Sequence, residues 1–260
     1  MSTAEVSFAS EGPIAFLTFN RPEARNALTW TMYDALADAC EQVDADPRIR
    51  AFVIRAEGDA FAAGTDIRQF TDFRSAADGI AYERRMEQVI DRLERVGATT
   101  IAQVQGVAAG GGCVIALACD LRVCTAAARF GVPIARTLGN CLSAANYARL
   151  LDLVGPARTK DLIITGRLMD APEANALGLI TRLAEPDAID ETVRQMAAAI
   201  ATHAPQTIRV TKEAMRRIAH HRRLPDQDIY DLVGACYASA DFQEGVAAFL
   251  ERRPPRFTGR

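Results

Sequence analysis

The chain has 260 residues, is 49% hydrophobic and 24% charged, and carries a formal net charge of −3. That length can bury one large core, or a core with a small appendage. The balance lacks the basic excess of a nucleic-acid binder, no run of about 18 apolar residues marks a membrane span, and Met1 to Ser10 lacks the basic start and apolar run of a secretory leader.

In chain order, Ile14 to Phe19 is apolar and reads as a strand, stopped by Asn20-Arg21-Pro22. From Leu28 the apolar positions fall at 28, 32, 35, 36, 39, 40 and 43, a helical period that Asp46-Pro47 ends. Ala51 to Ile54 reads as a buried strand, and strand–helix–strand order predicts an α/β layer fold. Residues 67 to 96 read as helical, with Met86, Val89, Ile90 and Leu93 on one face. Ile101 to Val104 is a strand, residues 110–112 are a glycine cluster, a short apolar helix runs to Ala118, and a strand lies near Leu121-Arg122-Val123. Leu142 to Val154 and Ala157 to Ile164 read as helices. Asp170-Ala171-Pro172-Glu173 is a helix start, with Asp as cap, Pro early and Glu three residues on. Strand signals fade beyond Pro186, so the chain divides into an α/β core, 1–195, and a helical C-terminal region, 196–260.

Cysteines stand at 40, 113, 119, 124, 141 and 236, with no Cys-x-x-Cys pair, and there are three histidines. This argues against a zinc site and for buried, reduced thiols in a cytoplasmic protein. His220-His221-Arg222-Arg223 reads as an exposed basic patch, not a metal site.

Two glycine turns carry the chemistry. Phe61-Ala62-Ala63-Gly64-Thr65-Asp66 follows a strand, and Gly64 permits a turn that aims the next N–H groups into a cleft. Gly106-Val107-Ala108-Ala109-Gly110-Gly111-Gly112-Cys113 opens a short helix, whose first N–H groups have no internal partner and favour negative charge. The spacing matches neither the dinucleotide fingerprint nor a P-loop.

With Asn20 to Leu28, these two turns closely resemble the enoyl-CoA hydratase/isomerase (crotonase) family. Ala118-Cys119-Asp120, Thr165-Gly166-Arg167 with Ala174 to Ile180, and the ending Phe249 to Phe257 resemble it too, so the likeness covers nearly the whole chain. The resemblance implies a spiral of β-β-α repeats, with C-terminal helices that help form a homotrimer or a hexamer. It implies a CoA thioester as substrate, no further cofactor and no metal. It also implies an oxyanion hole from the backbone N–H groups of Thr65 and Gly111, and acyl-CoA contacts near Ala27, Ala63, Gly64 and Asp66. Lys212, Phe249 and Phe257 are weaker candidates for CoA contacts, with surface charge and helix packing as their alternatives.

The chain departs from the family at the catalytic positions. Hydratases of this family use two glutamates, and here those places hold Val114 and Ile134, or Ala135 if the segment is one residue longer. None of these side chains transfers a proton. Val114 and Ile134 therefore read as acyl-pocket lining. Arg136 either pairs with an acyl carboxylate or lies at the surface. Asn140 either orients a water or carboxylate or caps the helix before Leu142. Cys141 reads as packing in preference to a nucleophile, and Glu83 and Glu87 as solvated helix residues. Three readings follow: an enzyme that stabilises a thioester enolate, with decarboxylation or thioester hydrolysis among its possible reactions; an acyl-CoA binder without chemistry; and an assembly subunit without ligand.

Overall fold

The computed structural model describes residues 4–259. The chain opens with an antiparallel hairpin of β1 (Val6–Glu11) and β2 (Ile14–Phe19), followed by α1 (Trp30–Ala45). Three turns of a spiral come next. The first is β3 (Ala51–Ala56), β4 (Ala60–Ala62) and α2 (Ala76–Glu94). The second is β5 (Thr99–Val104), β6 (Val107–Ala109) and α3 (Gly111–Ala118). The third is β7 (Leu121–Cys124), β8 (Arg129–Gly131), α4 (Ile134–Thr137) and α5 (Ala144–Thr165). The remainder runs β9 (Met169–Asp170), α6 (Ala171–Ala176), β10 (Arg182–Leu183), α7 (Ile189–Ala201), α8 (Pro205–His221), α9 (Tyr230–Tyr237) and α10 (Ala240–Leu250).

Each spiral turn gives one strand to each of two sheets, of order β1-β2-β3-β5-β7-β10 and β4-β6-β8-β9. The successive pairs β3–β5–β7 and β4–β6–β8 are parallel, as a repeated right-of-way through the same two layers requires. This is the α/β spiral expected from the sequence. The β2, β3 and β5 strands are largely buried on both faces because helices cover both sides. One face packs on α1 and α2 through Leu17, Phe52, Ile54, Leu36 and Ile90. The other packs on α7 through Phe16, Val53, Ile101 and Val193.

One expectation changes in detail. The helical reading of 67–96 resolves into a short 3-10 turn, Ile67–Phe70, and a separate α2 that starts at a capping box between Ser75 and Asp78. The two helices read between 142 and 164 are both present: α5 is a pair of helical segments that meet at a kink at Gly155 (φ 75°), the first starting at Ala144. Asp170 caps α6 as expected, accepting from Glu173 N at 3.0 Å. No helix among the described residues is long and apolar enough to cross a membrane. In α8 no residue is buried, and Val210, Met215 and Ile218 are exposed.

Candidate functional site

The run from Asn20 to Leu28 is a clamp on the first glycine turn. Asn26, fully buried, accepts from Arg21 N at 2.8 Å and donates to the carbonyls of Glu57 and Ala60, each at 2.8 Å. Arg21 donates to the Ala27 carbonyl at 2.5 Å and to the Asp66 carboxylate at 3.0 Å. Arg68 also grips Asp66, at 2.6 Å. The Arg68 hydrogen bond, opposed by burial and aided by Arg21, holds the Asp66 carboxyl down at about 2.

Leu28 N donates to Gly64 O at 2.8 Å and Asp66 N donates to Leu28 O at 2.9 Å, a parallel bridge that brackets Thr65. The Thr65 N–H itself donates to no acceptor among the described residues. Gly64 has φ 117°, a conformation that side chains disfavour, and this turns the Thr65 amide out of the strand. In the second turn Gly110 N donates to Gly131 O at 2.9 Å, and Val114 N donates to Gly110 O at 3.0 Å. Gly111, at the first position of α3, keeps a free N–H among the described residues, as a helix start dictates.

The two turns pack backbone against backbone. A Cβ at Gly110 would lie 3.4 Å from Gly64 Cα, and one at Gly111 would lie 3.2 Å from Thr65 Oγ1 and 2.1 Å from the Tyr33 hydroxyl. Glycine at 111 therefore makes room for Tyr33. The two free N–H groups open on one cavity of about 600 Å³.

Val114, Val132, Ile134, Leu142, Met86 and Ile90 give the cavity an apolar wall, and exposed Arg25, Arg68 and Arg252 bring positive charge to it. Ala27, Ala63, Gly64, Thr65, Asp66, Gly111, Val114, Ile134, Asn140 and Phe249 all line it. Three candidates do not. Arg136 is exposed and packs against Gly166 instead of facing the cavity. Lys212 is bound to the Ala98 carbonyl at 2.7 Å and to Asp120 at 2.5 Å. Phe257 is outside the lining.

Two hydroxyl networks reach the cavity that sequence reasoning missed. Tyr33 Oη lies 2.8 Å from Thr65 Oγ1, which lies 3.0 Å from Tyr82 Oη. Burial pushes both phenols up, so they remain protonated. The second network is centred on Glu83. The expectation of a solvated Glu83 is corrected: it is 3% exposed, accepts from Tyr237 Oη at 2.7 Å and from Ser143 N at 2.9 Å, and lines the cavity. Glu87 is not solvated either. With Glu94 it grips the buried Arg149, each pair at 2.7 Å.

Asn140 does not cap the following helix; Ser143 does, accepting from Asn146 N at 3.2 Å. Asn140 Nδ2 instead donates to Tyr237 Oη at 3.1 Å, while its buried Oδ1 finds no partner among the described residues. Four cysteines are buried and all six are free thiols. The Cys141 thiol is pushed up by its hydrogen bond with Cys236 and by burial, which leaves it a poor nucleophile.

A family model, Enoyl-CoA hydratase/isomerase, matches residues 9–260. A probable enoyl-CoA hydratase, echA8, of Mycobacterium bovis is 36% identical over 249 residues, covering 95% of each chain. A putative enoyl-CoA hydratase of Thermus thermophilus is 34% identical, covering 95% of this chain and 98% of its own. Among solved structures, an enoyl-CoA hydratase/carnithine racemase from Magnetospirillum magneticum superposes with a TM-score of 0.80 at 34% identity, over 100% of this chain and 97% of that one. A methylmalonyl-CoA decarboxylase in complex with 2-nitronate-propionyl-CoA superposes with a TM-score of 0.90 at 27% identity, over 98% of this chain and 99% of that one. The chain belongs to the enoyl-CoA hydratase/isomerase family, the crotonase superfamily, whose members act on acyl-CoA substrates.

Proposed function

We propose that this chain is an acyl-CoA enzyme in which the N–H groups of Thr65 and Gly111 hold the thioester oxygen as it takes on enolate charge. The observation that carries the reading is the pair of unpartnered N–H groups, on abutting glycine turns, at one cavity of about 600 Å³. A thioester oxygen gains charge when the α-carbon gives up a bond pair. Fixed donors stabilise that charge more than the neutral carbonyl, which lowers the barrier. Ala63 N donates to the Arg25 carbonyl at 3.0 Å, which sets the exposed Arg25 beside the turn, and its guanidinium group suits the phosphates of CoA.

Hydration by a pair of glutamates is not supported, because Val114 and Ile134, the residues that the family likeness puts in those places, carry no acid or base and both line the cavity. Decarboxylation is a second reading, favoured by that apolar wall and by the 0.90 TM-score with a methylmalonyl-CoA decarboxylase. An α-carboxylate loses hydration in such a wall. Its C–C bond pair passes to the thioester oxygen, neutral carbon dioxide leaves, and the α-carbon takes a proton. The exposed apolar residues of α8 suit the assembly into trimers or hexamers that the family likeness implies.

The test is incubation of the purified protein with saturated, 2-enoyl and α-carboxyacyl-CoA esters, followed by mass spectrometry and chromatography of the products. Conversion of any ester at its α- or β-carbon supports the enzyme reading. Binding without any change points to a non-catalytic acyl-CoA binder, and failure to bind any ester rejects both.

A further inference from the structure

We infer that Glu83, fixed in the cavity wall by Ser143 and Tyr237, is the group that exchanges a proton with the bound acyl chain. The inference rests on the acyl-CoA reading above and assigns the acid–base role that Val114 and Ile134 leave empty.

The cavity is lined by two carboxyl groups, Asp66 and Glu83. Asp66 is locked as an anion between Arg21 and Arg68. Glu83 has no ion-pair partner among the described residues. The nearby Arg149 is taken by Glu87 and Glu94. A carboxyl group buried without a cation holds its proton far above the usual range. Here burial is the main cause, the Tyr237 and Ser143 donors oppose it, and the charges of Glu87 on its own helix and Asp226 beyond α5 add to it; the result is about 8. The other titratable groups around it, Tyr33, Tyr82, Tyr147, Tyr237 and Cys141, are all pushed up and stay neutral. Glu83 is thus the cavity group poised near neutral pH to both give and take a proton.

The hydrogen bonds fit both charge states. With Glu83 ionised, Tyr237 donates to Oε1, Ser143 N donates to Oε2, and Asn140 Nδ2 donates to Tyr237. Asn140 Oδ1 is then buried without a partner. With Glu83 protonated, its O–H donates to Tyr237, the phenol turns its own O–H to Asn140, and a flip of the amide presents Oδ1 to receive it. Apart from the exchange of Asn140 Nδ2 and Oδ1, no heavy atom has to leave its place. As a base, Glu83 takes the α-proton; the C–H bond pair moves into the enolate, and the oxygen charge rests on Thr65 and Gly111 N–H. As an acid, it returns that proton to carbon, or donates one to the carbon that carbon dioxide has left.

Butyryl-CoA in deuterium oxide is the probe. Incorporation at the α-carbon is followed by mass spectrometry and binding by calorimetry, for the wild type, E83Q and Y237F. The wild type exchanges, with a half-maximal rate near pH 8 set by Glu83. In E83Q exchange falls by about 10²-fold or more while the affinity for butyryl-CoA is kept. Tyr237 is a positioning residue: Y237F keeps exchange but moves the midpoint to higher pH, because a donor to the ionised carboxylate is gone. Wild-type exchange rates in E83Q, or a wild type that binds butyryl-CoA without exchange, overturn the inference. A wild type that does not bind butyryl-CoA instead removes the acyl-CoA reading and the inference with it.

Discussion

Gly111→Pro in a Tyr33→Phe background deletes one N–H from the site, and Y33F alone isolates the effect of the lost Tyr33–Thr65 hydrogen bond. Gly111 is the first residue of α3, where an N–H has no intrahelical partner and proline is well tolerated. The residue before it, Gly110, has no Cβ for the ring to meet. A Cβ at 111 would meet the Tyr33 hydroxyl at 2.1 Å, Thr65 Oγ1 at 3.2 Å and the ring carbon Cζ at 3.4 Å, so removal of that hydroxyl relieves the severe clash and leaves Thr65 Oγ1 to give by a few tenths of an ångström. Gly111→Pro alone would instead push Tyr33, which is 2% exposed, into its packing. Loss of one oxyanion donor typically costs about 3–4 kcal/mol of transition-state stabilisation, roughly a 10²–10³-fold loss of rate. The assay is α-deuterium exchange of butyryl-CoA, with Y33F as the reference and circular dichroism as the check on folding. A folded double variant that exchanges as fast as Y33F refutes the placement of the oxyanion at Gly111.

Between pH 4.5 and about 8 the unfolded chain has lost the Glu83 proton that the native state retains, so its contribution to stability falls as pH rises. Denaturant unfolding of E83Q and wild type should show a gap that grows in favour of E83Q by up to about 1.4 kcal/mol per pH unit in that window; a flat gap contradicts the buried, unpaired carboxyl. Arg149→Met strands Glu87 and Glu94 beside each other, and thermal and denaturant unfolding should report a loss of about 3–5 kcal/mol. Gly64→Ala forces a side chain to φ 117° and should cost roughly 1–3 kcal/mol together with acyl-CoA affinity, since Thr65 moves with it. Lys212→Met should weaken folding but leave the dissociation constant for butyryl-CoA unchanged, because Lys212 holds Asp120 away from the cavity.

The parts of the site that sequence shows are those whose signal is local. Gly64 and the 110–112 glycines sit beside the amides they expose, and Asp170 sits three residues from the N–H it caps. The period from Leu28 to Val43 predicts α1 because one face of a single helix is buried. β1 escapes because Val6–Glu11 is an edge strand with exposed polar positions, and β4, β6 and β8, at three residues each, are too short for any period. Glu83 escapes for a different reason. Its partners, Ser143 and Tyr237, are 60 and 154 residues away, so nothing near it in the chain distinguishes it from a solvated helix residue. Asn140 reads as a cap because it stands before an apolar helix, yet Ser143 is nearer the first turn and takes the role.

The polarisation of a bound thioester tests the central claim most directly, since it needs no turnover. Difference infrared spectroscopy of butyryl-CoA, isotope-labelled at the carbonyl carbon, would compare the free ester with the ester bound to the wild type and to Y33F/G111P. Two N–H donors on one oxygen predict a carbonyl stretch at lower frequency in the wild-type complex, with much of that shift lost in the double variant. A bound carbonyl that absorbs where the free one does would contradict the oxyanion hole at Thr65 and Gly111.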